Sequence, residues 1–183
     1  MPRLLALCAI GALFFSACDA TNETPHTGEA GALEAFSGLT LKVGAMTLTV
    51  DDLSAAVMDT LSLDAGKSYT GSVSLGAASD SLVQAEAESH LFAYTFDPAS
   101  DVTLTATDRE SQYAVQNLNG GDYALGRTFS VAVDSAATGQ ATLNVRLRHF
   151  DGVEKSMSDA NVGQNDFSVM IPVMYVPIET AGG

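Results

Sequence analysis

Basic residues are scarce in this chain. Lys and Arg number 8 against 22 Asp and Glu in 183 residues, giving a formal net charge of -14 and a pI of about 4.2. Contact with a phosphate backbone would oppose the field of the whole molecule, so nucleic acid is excluded as a partner. Tryptophan is absent and aromatics make up 7%, so aliphatic side chains must supply most of the core. Cysteine occurs twice, at Cys8 and Cys18, and histidine three times. Charged residues reach only 16% against 46% hydrophobic, too apolar for a disordered chain and enough to bury a core in one domain. Enzymatic signatures are missing as well. The chain has no Gly-x-Ser-x-Gly, no Gly-x-x-x-x-Gly-Lys-Ser/Thr, no Gly-x-Gly-x-x-Gly and no His-Glu-x-x-His. A non-catalytic role is therefore expected.

The most continuous apolar run, residues 4–15, is 12 residues long, below the ~20 that a bilayer-spanning helix needs. It follows Arg3 and ends in Phe15-Ser16-Ala17-Cys18, where small residues precede a cysteine. This is the pattern of an export signal, and its end resembles a bacterial lipobox, with Phe15 in the position usually held by Leu. The resemblance implies cleavage after residue 17 and a diacylglycerol on Cys18. At ~0.8 kcal/mol per buried methylene, two or three acyl chains would hold the protein on a membrane almost permanently. Cys8 leaves with the signal. The mature protein then has no thiol for a disulfide, a zinc-thiolate site or a nucleophile. Residues 19–31 (DATNETPHTGEAG) have no apolar period and read as a flexible acidic tether, in which His26 is a solvated histidine. The expected organisation is signal 1–17, lipidated Cys18 and tether 18–35, a β domain 36–178 and a short tail 179–183.

From Phe36 onward the dominant period is two. Leu39, Leu41 and Val43 alternate with polar residues, then Met46, Leu48 and Val50 do the same beyond Gly44-Ala45, which predicts a hairpin. Leu61 with Leu63, Tyr69 to Leu75, Val102 to Ala106, Phe129 to Val133, Leu143 to Leu147 and Phe167 to Tyr175 predict further strands. A loop rich in Gly, Ala, Ser and Asp is expected up to Leu82, followed by a long extended segment over 83–97 broken near Ser89. Pro172 suggests an edge position or a bulge. Eight or nine strands separated by turn signals fit an antiparallel immunoglobulin-like β-sandwich.

Two histidines stand out against this pattern. If 84–96 is extended, Glu86, Glu88 and His90 share one face, continued by Phe92, Tyr94 and Phe96. His149 falls in phase with Leu143, Val145 and Leu147, while Arg146 and Arg148 point outward. Imidazoles and carboxylates converging at a sandwich edge would suit a divalent ion such as Zn²⁺, Cu²⁺ or Ni²⁺, with His90, His149, Glu86 and Glu88 as ligands. The same residues also fit plainer roles, with His90 capping a strand, His149 bonding a loop carbonyl, and Glu86 and Glu88 solvated opposite Arg146 or Arg148. Oxygen-rich turns at 117–122 and 97–101 carry residue types that calcium uses, without a complete loop pattern. Phe92, Tyr94 and Phe96 are expected in the core, and together with Tyr113 they offer a less favoured sugar-stacking surface.

Three phrases carry a family resemblance: residues 67–75 (KSYTGSVSL), 86–92 (EAESHLF) and 139–149 (GQATLNVRLRH). They resemble a family of small Gram-negative envelope lipoproteins that go by "type 1 periplasmic binding" protein and are encoded near outer-membrane TonB-dependent receptors. The likeness covers about residues 39–175. The family's acidic run before the position of His90 is denser than Glu86 and Glu88 here. The resemblance implies an outer-membrane lipoprotein that assists uptake, with His90 and His149 at the family's motif positions. The combined expectation is a lipid-anchored binding protein that captures Zn²⁺ or Cu²⁺ for a TonB-dependent receptor. The alternative is a structural or adhesive surface module, and an enzyme acting on envelope polysaccharide ranks third.

Overall fold

The computed structural model describes residue 36, residues 38–113 and 122–150, residue 155 and residues 162–178. Cys18, the signal, the tether with His26, most of the oxygen-rich turn at 117–122 and the tail at 179–183 lie outside the described residues. Among those described, no helix is long and apolar enough to cross a membrane.

Alternating burial creates most of the elements. The strands are β1 (Leu39–Val43), β2 (Met46–Val50), β3 (Leu61–Asp64), β4 (Ser68–Leu75), β5 (His90–Asp97), β6 (Val102–Ala106), β7 (Thr128–Val133), β8 (Gln140–His149) and β9 (Gln164–Val176). In β1, Leu39, Leu41 and Val43 are each 1% exposed while Lys42 faces water, so the polar–apolar period decides which side of the strand is buried. The β1–β2 hairpin forms as expected, turning at Gly44 with φ of +58°. Two sheets result, one ordered β2-β1-β4-β7-β6 and the other β3-β9-β8-β5. Their buried residues merge into one apolar cluster. Tyr94 of the second sheet meets Phe129 of the first at a ring-centroid distance of 4.7 Å. Each fully buried Leu, Val or Phe contributes ~1.5–3 kcal/mol to this core. Phe129 lies over its cross-strand partner Gly71, where even one β-carbon would collide with the ring.

Several expectations are corrected. The alanine- and serine-rich stretch before Leu82 is part of a helix, α1 (Ala77–Ala85), which buries Ser79 and Val83. A 3-10 turn, Ala87–Ser89, follows it, so the extended segment begins only at His90. Glu86 and Glu88 therefore do not share a strand face with His90. The sheets are also not wholly antiparallel, because β3 runs parallel to β9. Pro172 lies in β9, an interior strand of its sheet, and the register irregularity falls at Leu147/Arg148 instead. The missing amide costs no bond to β8. Tyr175 N–H donates to Gly139 O on the β8 side, so position 172, three residues back and of opposite phase, aims its nitrogen toward β3. β3 begins only opposite Val173. Arg148 is not outward-facing: it is 3% exposed, with its guanidinium 5.0 Å from the Phe150 ring centroid. Phe92 and Phe96 are core residues as expected, and Tyr94 is half-buried.

Candidate metal centre

The first two members of the site are brought together by strand pairing. β5 and β8 are antiparallel with His90 opposite His149. Phe92 N–H donates to Leu125 O, away from β8, and Phe150 N–H donates to Ser89 O, so the intervening His90/His149 pair is of the non-hydrogen-bonded kind, in which side chains come closest. The rings stack with centroids 4.7 Å apart and planes inclined by 23°. Their exposure differs sharply. The His90 side chain is 2% exposed and that of His149 is 37% exposed, so only His149 occupies the rim.

A third group, Asp166, completes the cluster, and it was absent from the expected ligands. Leu147 pairs with Phe167 and Arg148 with Asn165, which leaves Asp166 as the extra residue of a β-bulge. Simple alternation would turn it away from the face of Phe167 and Val169. The bulge breaks that alternation and puts its carboxylate beside both rings: Oδ2 lies 3.5 Å from His90 Nε2 and Oδ1 lies 3.7 Å from His149 Nδ1. One donor atom from each of His90, His149 and Asp166 can be chosen so that all lie within 4.8 Å of one another. Donors around a tetrahedral zinc ion with bonds of ~2.0–2.1 Å are about 3.3 Å apart, so an ion would need only a modest contraction of the cluster.

The hydrogen bonds of His90 decide which ring nitrogen faces Asp166. His90 Nδ1 lies 3.0 Å from Glu86 O, and a carbonyl oxygen only accepts, so Nδ1 carries the hydrogen. In the neutral ring, Nε2 then presents a lone pair to Asp166 Oδ2. That oxygen is buried and has no hydrogen-bond partner among the described residues. With the ring neutral, two acceptors face each other across 3.5 Å, an arrangement relieved either by a proton on Nε2 or by a metal cation held between them.

The expected carboxylate ligands sit elsewhere. Glu86 Oε2 is 4.0 Å from His90 Nδ1, the nitrogen already committed to a carbonyl, so Glu86 orients the ring from the side away from Asp166. Glu88 lies near enough to a buried cation, Lys155, for its charge to act on that ammonium. Lys155 Nζ donates to Glu110 Oε1 at 2.6 Å and to Ala87 O at 2.9 Å. Burial pushes the Lys155 ammonium down, and the carboxylates of Glu110, Asp108 and Glu88 pull against that shift. Of the oxygen-rich turns, Asp122 is occupied with the amide and hydroxyl of Ser111.

No family model matches the chain, and no curated protein matches it. Among solved structures, a nucleoside hydrolase-related hypothetical protein from Saccharophagus degradans, associated with carbohydrate metabolism, is similar at 13% identity and a TM-score of 0.33, over 75% of this chain and 25% of that one. The chain spans about a quarter of that protein's length.

Proposed function

We propose that this is a lipid-anchored envelope protein that binds a divalent transition-metal ion, of the Zn²⁺ or Cu²⁺ type, through His90, His149 and Asp166. The carrying observation is the buried Asp166 Oδ2, which has no hydrogen-bond partner among the described residues and lies 3.5 Å from His90 Nε2. Two imidazoles and a carboxylate suit borderline ions better than Ca²⁺ or Mg²⁺, which prefer all-oxygen sites. The 37% exposure of His149 gives the ion a route to and from solvent, consistent with capture and release. The lipobox-like end at Cys18 supports attachment to the outer membrane, and the lipoprotein resemblance supports delivery to a TonB-dependent receptor. The frame is read as an immunoglobulin-like sandwich, which the two sheets sharing one apolar cluster support. A second reading, a structural or adhesive module, is favoured by Met170 and Met174 on the outer face of β9, exposed by 66% and 43%.

The test is calorimetric titration of the full mature chain in detergent with Zn²⁺ and Cu²⁺. One ion per chain is expected, with affinity falling at least about tenfold in His149→Ala and in Asp166→Asn. Absence of binding, or mutants indistinguishable from the wild type, would reject the metal reading in favour of the adhesive one.

A further inference from the structure

The turn between α1 and β5 is the hinge of the site, because it carries the carbonyl that fixes the tautomer of His90. Glu86 O receives His90 Nδ1–H at 3.0 Å and Ser89 N–H at 2.9 Å. The adjacent carbonyl, Ala87 O, receives Lys155 Nζ at 2.9 Å, and Ser89 O receives Phe150 N–H at 2.8 Å. Ala87 itself is fully buried. Lys155 reaches this turn from 68 residues away, and its ammonium is also bound to Glu110, whose own amide donates to Tyr123 O. The Lys155 side chain is 0% exposed and that of Glu110 is 3% exposed. Glu88, in the same turn, has a buried Oε2 without a hydrogen-bond partner among the described residues and adds a third negative charge near the ammonium, after Glu110 and Asp108.

Burying such a pair adds little stability over an apolar pair of the same shape, so its value lies in the geometry it imposes. We infer that Lys155 is a positioning residue for the metal centre: by clamping Ala87 O it holds the 86–89 turn so that Glu86 O keeps the hydrogen on His90 Nδ1 and leaves Nε2 open toward Asp166. This inference rests on the metal reading for its purpose, but its structural step does not need the ion. Outer partners that orient a ligating histidine are worth ten- to a hundredfold in metal affinity.

The experiment compares the full-length wild type with Lys155→Met/Glu110→Gln, which removes both charges at nearly constant volume, and with Glu110→Gln, which keeps the Lys155–Ala87 bond. Two readouts are taken: Cu²⁺ affinity with its electron-spin-resonance hyperfine pattern, and the ring ¹⁵N shifts of His90 without metal. The double variant is expected to bind Cu²⁺ about tenfold or more weakly, with altered hyperfine splitting and a mixed His90 tautomer. Glu110→Gln is expected to keep the wild-type tautomer and spectrum. A folded double variant with both readouts unchanged would overturn the inference, as would Glu110→Gln losing both. A wild type that takes up no Cu²⁺ would instead remove the metal reading, while the ¹⁵N comparison would still decide whether Lys155 sets the ring.

Discussion

Asp108 carries a buried hydrogen-bond network next to β7. It is 1% exposed and accepts the amides of Gly126 and Arg127 at 2.8 Å each and the Tyr113 hydroxyl at 2.9 Å. These bonds pin the approach to β7, and Gly126 O in turn accepts the Tyr94 hydroxyl. The phenols feel both burial and the acid. Desolvation, then the Asp108 charge, pushes Tyr113 up to about 12, and the same causes raise Tyr94 well above 10. A group whose pKa is raised on folding holds its proton in the folded state over a range where the unfolded chain has lost it. The stabilisation is complete below pH 10 and is lost as pH rises from there toward about 12. Tyrosinate absorbance should therefore appear later in the folded protein than in the unfolded chain, while the urea midpoint falls over the same interval. Tyr113→Phe should flatten that decline. A folded-state titration centred on the ordinary value, with no late phase, would count against the network.

At the level of elements, strands with one buried face were readable and everything that departs from a strict period was not. Leu39 to Val50 and Leu143 to Leu147 announce themselves because every second side chain must leave water. The convergence of His90 and His149 required a pairing register, which periodicity does not encode, although both histidines were in phase with the core. Asp166 was out of phase and was found only because a bulge re-aims it. The sequence reads α1 as loop up to Leu82 and as extended from Val83, because in these nine residues only Leu82 and Val83 are large and apolar, and two adjacent residues define no 3.6 period. Its start is also weakly marked. Gly76 occupies the N-cap with φ -55° and ψ 149°, a conformation any L-residue adopts, and it brings no side chain to cap the first turn. Serine there should supply the missing acceptor. The expected order of thermal stability is Gly76→Ser above wild type above Gly76→Ala, with about 1 °C gained by serine. Calorimetric melting of the three proteins checks this, and an alanine variant as stable as the serine one would show that capping does not limit α1.

Across the whole molecule, one property acts on folding and on the proposed ion in opposite directions. A net charge of -14 makes the folded state repel itself, since folding brings carboxylates closer than they sit in the expanded chain. The same field concentrates cations near the His90–His149–Asp166 cluster. Monovalent salt shortens the range of both effects, to a Debye length of ~10 Å at 0.1 M and ~3 Å at 1 M. Raising NaCl should accordingly lift the urea midpoint while weakening Zn²⁺ or Cu²⁺ binding, and the loss should lie mainly in the association rate, because steering is a long-range effect. Sodium does not compete for imidazole nitrogen, so displacement of the ion by Na⁺ is not the cause. Stopped-flow mixing and urea titration across the same salt series separate the two responses. If affinity and stability rose together with salt, the ion would be sensing the stability of the fold rather than the field around it, and the cluster would lose its claim to be a capture site.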